Sequence, residues 1–164
     1  GKSRLAERLV ARLATTTGMP RAYIATAEIW DEEMRARIDR HIADRGDGWV
    51  TQEAPRDLAG ALARAEGVVL IDCATLWLTN VMLGGGDVER ETAEMLAAMA
   101  AYPGPVIVVS NEVGWGIVPD NKLSRDFRDA QGRLNQRLAE AADLVAGVMA
   151  GLPMVLKGQM PVLA

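Results

Sequence analysis

Two stretches of this sequence are apolar without interruption: Val68-Val69-Leu70-Ile71, closed by Asp72, and Val106-Ile107-Val108-Val109, opened by Pro105 and closed by Ser110. A strand with one wet face alternates apolar and polar residues. An unbroken β-branched run therefore marks a strand covered on both faces, as in a parallel sheet held between helical layers. The rest of the chain has the matching alternation. Leu5, Leu9 and Leu13 repeat at four-residue spacing and predict a helix over 2–14, stopped by the run from Thr15 to Pro20. A short strand follows at 22–26, then a charged helix over about 30–43 with Trp30, Met34, Ile38 and Ile42 on one face. Gly46 and Gly48 break the chain before a second strand, Trp49 to Glu53. Pro55 opens a helix carrying Leu58, Leu62 and Ala65, and Gly84-Gly85-Gly86 forms the next break. Helices are expected over 87–101 and 122–142, and the last strands over 144–149 and 154–157. Strands alternating with helices in this way predict one α/β domain over 1–164 with a mostly parallel central sheet.

Composition narrows the function. The 49% of hydrophobic residues and 24% of charged ones suit a globular core, built mainly from aliphatic side chains because there are only four Trp, two Tyr and one Phe. A net charge of -4, with no dense block of Lys or Arg, argues against a nucleic-acid-binding surface. A phosphate ligand would have to be held locally, by a loop and a few cations. The single cysteine, Cys73, excludes an internal disulfide and fits a reducing, cytoplasmic setting. The longest apolar stretch, 68–83, contains Asp72, Thr75, Thr79 and Asn80 and is too polar for a membrane span.

Ligands of open α/β sheets bind at the carboxyl ends of the strands and the amino ends of the helices, and the chemistry-bearing residues fall there. Gly1-Lys2-Ser3 stands directly ahead of the first helix and has the form of the closing GKS of a P-loop. The helix N-terminus offers free N–H groups and a positive dipole end to phosphate, Lys2 adds a cation, and the Ser3 hydroxyl can ligate Mg²⁺. The same tripeptide can also be a plain helix start. Asp72, at the end of VVLID, is placed like the Walker B carboxylate that reaches Mg²⁺; a strand-end Asp can equally be a helix cap. His41, the only histidine, falls at the edge of the Trp30/Met34/Ile38/Ile42 stripe. It reads either as a half-buried packing residue or as a nucleophile able to carry a phosphoryl group as a phosphoramidate. In the loop Asn111 to Pro119, Trp115 lies between Gly114 and Gly116. That loop is either well packed or a wall for a bulky, partly apolar substrate.

Taken in order, GKSR at 1–4, YIAT at 23–26, DEEMRARI at 31–38, RH at 40–41, the acid at 72, LTN at 78–80, NEVGWGIVP at 111–119 and FRDAQGRLNQRLA at 127–139 run along nearly the whole chain. The chain thereby resembles the bifunctional adenosylcobinamide kinase/adenosylcobinamide-phosphate guanylyltransferase family of cobalamin biosynthesis. The resemblance implies a P-loop nucleotide hydrolase-like three-layer sandwich. It also implies two activities: phosphorylation of the aminopropanol hydroxyl of adenosylcobinamide, then transfer of GMP from GTP through a GMP–histidine intermediate. His41 matches that nucleophile. Nucleotide contacts carried over by the resemblance are Gly1, Lys2 and Ser3; Ala25, Thr26 and Ala27; Ile42, Ala43, Asp44 and Arg45; and Glu53 and Asp72. Ser3 and Asp72 would hold Mg²⁺. GTP is the implied substrate, with ATP an option in the kinase step, and the implied assembly is a homotrimer. The family's loop has the form GGxRSGKS after a hydrophobic strand. The expectation is therefore that a first strand and most of the phosphate loop belong ahead of Gly1, and that a molecule beginning at Gly1 binds nucleotide poorly. A guanylyltransferase without kinase activity, another P-loop small-molecule kinase, and a non-catalytic nucleotide-binding protein are the alternatives.

Overall fold

The computed structural model describes residues 1–28, 32, 33, 35, 36, 43 and 45–163. Four strands form one parallel sheet: β1 (Arg21–Ala25), β2 (Trp49–Glu53), β3 (Val68–Asp72) and β4 (Val106–Val109), in the spatial order β2-β1-β3-β4. The helices are α1 (Lys2–Thr17), α2 (Leu58–Arg64), α3 (Ala74–Leu83), α4 (Val88–Ala101) and α5 (Lys122–Ala141). An antiparallel hairpin, β5 (Val145–Met149) and β6 (Leu152–Lys157), forms a second sheet of two strands. The expected strands at 49–53 and 68–72 are found with those limits. The stripe Trp30/Met34/Ile38/Ile42 of the expected helix at about 30–43 lies outside the described residues.

The unbroken apolar runs do what their composition requires. Alternate residues of each central strand supply two different cores. Ala22 and Ile24 of β1, Val69 and Ile71 of β3, and Val106 and Val108 of β4 pack beneath α2, α3, α4 and α5. Tyr23, Val68, Leu70, Ile107 and Val109 point the other way, onto Ala6 and Val10 of α1. Val68, Val69, Leu70 and Ile71 are all fully buried, each contributing roughly 1.5–3 kcal/mol by removal from water. This gives the three layers of an α/β sandwich, as in a P-loop fold.

The helix ends are set by local chemistry. Asp57, Asp87 and Asn121 cap α2, α4 and α5 by accepting the backbone N–H of Gly60, Arg90 and Ser124. Gly18 ends α1 in the left-handed conformation (φ 70°) that only glycine adopts without cost.

Several features depart from the sequence expectations. α1 runs on to Thr17 through the threonines expected to stop it, and α2 begins at Leu58, capped by Asp57, and not at Pro55. α3 was not foreseen: its inner positions Ala74, Thr75, Trp77, Leu78, Asn80 and Val81 are buried, and its outward positions are Leu76, Thr79, Met82 and Leu83, three of them apolar, so the sequence shows little amphipathic period. The last two strands do not extend the parallel sheet but pair with each other. Lys157 Nζ ties that hairpin to the end of α5 by donating to the carbonyls of Ala139 and Glu140, both at 3.0 Å.

Candidate active site

Register fixes the site. In the parallel sheet Ala25 is level with Glu53 on one side and Asp72 on the other, and Asp72 is level with Val109. These positions line the carboxyl edge, with neighbouring strands about 4.8 Å apart. α1 packs on β3 and β4 and returns the chain to parallel β1, so its N-terminus lies at this same edge. Gly1 approaches the turn of the β5–β6 hairpin there: a Cβ on it would stand 3.1 Å from Gly151 Cα and 3.2 Å from Val148 Cγ1. Lys2 is exposed and Ser3 half-buried. α1 has no side-chain N-cap and no acidic residue in its first turn, which leaves its dipole end and N–H groups to an anion.

The sheet face beneath α1 carries a linked column. The Tyr23 hydroxyl donates to Asp72 Oδ2 at 3.0 Å. The Arg45 guanidinium lies 3.5 Å from the centre of the Tyr23 ring and 5.7 Å from that of Trp49, and donates to Thr51 Oγ1 at 3.2 Å. Tyr23 and Trp49 meet edge to face, 6.0 Å between ring centres. Burial first, then the Asp72 charge, holds the Tyr23 phenol protonated far above its ordinary range. It therefore remains a donor to Asp72 at any physiological pH.

Thr26 behaves differently from its neighbours. It is fully buried, and its Oγ1 both donates to Cys73 O and accepts from Cys73 N, each at 2.8 Å. Its carbonyl accepts from Asn80 Nδ2 at 2.8 Å, and its N–H donates to Asp72 O at 3.4 Å. In this conformation Thr26 fastens the ends of β1 and β3, while the half-buried Ala25 and Ala27 flank it. Glu53 is exposed at the end of β2, and Ala43 is exposed. His41, Ile42 and Asp44 lie outside the described residues. The structure thus brings Ala25, Glu53 and Asp72 to one edge of the sheet, together with the α1 N-terminus, and places Arg45 on the sheet face, over Tyr23 and Trp49.

The loop after β4 is not a packed interior loop. Trp115 is 77% exposed and Ile117 95%. Its backbone is nonetheless held, by Arg128 Nη2 on Gly114 O at 2.7 Å and by Arg125 Nη1 on Pro119 O at 3.0 Å. Tyr23, Asn135 and Gln131 were not singled out from the sequence. Tyr23 follows an apolar pattern, and the two amides sit on a helix where polar residues ordinarily face water.

Comparison with known proteins decides the family. The family described as cobinamide kinase / cobinamide phosphate guanyltransferase matches residues 1–156. This chain belongs to that family. It is 46% identical over 166 residues to the bifunctional adenosylcobalamin biosynthesis protein CobP of Pseudomonas aeruginosa, covering 97% of this chain and 92% of the relative. It is 38% identical over 175 residues to the bifunctional adenosylcobalamin biosynthesis protein CobU of Salmonella typhimurium, covering 96% and 94%. The CobU protein of Escherichia coli matches with the same identity and coverage. The family match spans α1, the whole parallel sheet and the loop with Trp115, so it takes in every residue of the edge described above. Among the described residues no helix is long and apolar enough to cross a membrane.

Proposed function

We propose that this chain carries out two successive steps on one corrinoid. It phosphorylates the aminopropanol hydroxyl of adenosylcobinamide. It then transfers GMP from GTP to the resulting phosphate, giving adenosylcobinamide-GDP and pyrophosphate. The observation that carries this reading is the family match across residues 1–156, joined to a sheet edge that gathers a phosphate-ready helix N-terminus and a strand-end carboxylate.

In the second step His41 attacks the α-phosphate of GTP, the bond to the β-phosphate breaks, and pyrophosphate leaves. An oxygen of the cobinamide phosphate then displaces the histidine. His41 is the only histidine of the chain, which leaves no other imidazole for the role. Lys2 and the N–H groups of α1 offset charge on the phosphates. Arg45, Ala25, Ala27, Ile42, Ala43, Asp44 and Glu53 complete the nucleotide contacts, and Thr26 supports them by locking the strand ends.

The donor set fits Mg²⁺, which keeps several waters and takes one or two carboxylates beside substrate phosphates. Asp72 offers one carboxylate and Ser3 one hydroxyl, and no cluster of three or more His, Cys, Asp or Glu stands among the described residues. When bound there, the ion would neutralise phosphate charge. A homotrimer is part of the same proposal. Leu152 and Leu156 of β6, 69% and 70% exposed, give it apolar surface to cover.

The test uses GTP labelled at the α-phosphate, followed by denaturing electrophoresis of the chain and its His41→Ala variant. An acid-labile label on the first and none on the second is expected. Well-folded, GTP-binding protein without label would remove His41 as nucleophile and point to a simple P-loop kinase.

A further inference from the structure

Phosphoryl transfer to an alcohol needs a group that takes the hydroxyl proton. The face of the sheet opposite α1 carries a carboxylate built for such a task. Val109 points toward α1, so Ser110, next along the chain, lies on the α5 side. There it meets Gln131 and Asn135, one helical turn apart on α5. Gln131 is fully buried, and its Nε2 donates to Ser110 Oγ and Asn135 Oδ1, both at 2.9 Å. Ser110 Oγ donates to Asn135 Oδ1 at 2.6 Å. Asn135 Nδ2 is thereby aimed outward and donates to Asn111 O at 3.0 Å and to Glu112 Oε1 at 2.7 Å. Thr75 Oγ1 accepts the Asn111 N–H at 2.9 Å and fixes the backbone one residue earlier.

A buried amide network costs more than aliphatic packing unless it specifies something. This one ends at a single solvent-facing carboxylate. Glu112 borders a cavity of about 270 Å³ shared with Gly114, Arg128, Asp129, Arg133 and Gln136. Two cations and two anions make that lining neutral overall. Arg128 Nη2 holds the Gly114 carbonyl at the cavity wall at 2.7 Å. The Arg133 guanidinium, on the same lining, carries N–H donors that a neutral acceptor such as a carboxamide oxygen can take. The volume suits a side arm and not a macrocycle. The exposed Trp115 and Ile117, on the same loop, offer an apolar surface just outside.

We propose that this cavity takes the hydroxyl-bearing amide arm of the cobinamide, and that Glu112 accepts the hydroxyl proton in the kinase step. The donor phosphates lie across the sheet edge, at Lys2 and Ser3. The substrate oxygen bonds to the γ-phosphorus as the bond from that phosphorus to the β–γ bridging oxygen breaks. The nucleoside diphosphate leaves with the electron pair, and the proton passes to the Glu112 carboxylate and then to water. This inference rests on the function proposed above.

The two half-reactions separate the ideas, because guanylyl transfer to a preformed cobinamide phosphate has no hydroxyl proton to remove. Both rates are measured on the full chain and on Glu112→Gln, Glu112→Asp and Glu140→Gln, the last an exposed carboxylate of α5 outside the cavity. Glu112→Gln should lower kinase kcat by about 100-fold or more, with far less effect on guanylyl transfer. Glu112→Asp should recover part of the loss, and Glu140→Gln should stay within a few-fold. A parent chain that transfers neither group sinks the functional reading and this inference together. A parent active in both, whose Glu112→Gln variant loses neither or loses both equally, sinks this inference alone.

Discussion

The Tyr23 hydroxyl reaches Asp72 across 49 residues of sequence, donating to Oδ2 at 3.0 Å. The same ring supports the Arg45 guanidinium. One side chain therefore orients the strand-end carboxylate and anchors the segment that follows His41. Tyr23→Phe keeps the ring and the stacked cation but removes the donor. A hydrogen bond to a charged acceptor contributes about 1.5–3 kcal/mol, and Asp72 is half-buried, so the loss in urea unfolding should fall near the lower end of that range. The Mg²⁺ concentration giving half-maximal GTP turnover should rise several-fold. An unchanged value would mean that Asp72 needs no orientation from Tyr23.

The same phenol makes stability depend on pH in the alkaline range. Its folded pKa is raised, by burial first and by Asp72 second. The folded state thus holds the proton where the unfolded chain releases it, above about pH 10. Its contribution is complete below that pH and is lost as pH rises toward the folded value. Melting temperatures measured from pH 8 to 11.5 should fall more steeply for the parent than for Tyr23→Phe. Parallel curves would show that the phenol titrates alike in the folded and unfolded states.

Thr26 offers a choice between two roles. If it acts by joining β1 to β3, Thr26→Val leaves the Cys73 N–H without a partner in a buried setting, while the Cys73 carbonyl keeps the Trp77 N–H at 3.2 Å. The expected cost is roughly 1–3 kcal/mol for the orphaned group. GTP affinity of the folded fraction should change little. The reverse pattern, intact stability with weakened GTP binding, would return Thr26 to the nucleotide contacts.

What the sequence disclosed follows from the range of the forces involved. β3 was legible to the residue because four consecutive apolar positions demand cover on both faces. α3 was not, because its outward positions Leu76, Met82 and Leu83 are themselves apolar and leave little alternation to detect. Ser3 and Asp72 were named from local motifs and Ala25 and Glu53 from the family resemblance, and parallel register brings Ala25, Glu53 and Asp72 into line. Tyr23 on Asp72, and Gln131 with Asn135 behind Glu112, are contacts between residues 21 to 49 positions apart or on one helix face. No local pattern announces them. A polar residue on an amphipathic helix reads as solvated until packing shows it buried, as with Gln131.

The first turn of α1 carries the last prediction. It has no acidic residue and no side-chain cap, so the positive end of the helix dipole and Lys2 act on an incoming phosphate without local competition. Lys2 is exposed, so removing its charge leaves the packing of Ala6, Leu9 and Val10 untouched. A charge-assisted contact is worth about 1.5–3 kcal/mol, and Lys2→Met should therefore weaken GTP binding by roughly 10- to 100-fold at unchanged melting temperature. Arg8, exposed on the same helix but nearly two turns from its start, is the control for a mere change in net charge. Arg8→Met should shift the GTP dissociation constant less than two-fold at moderate salt, since screening acts over about 8–10 Å. Equal effects from both substitutions would assign the attraction to the general field of the helix, and no effect from Lys2→Met would place the phosphates away from α1 altogether.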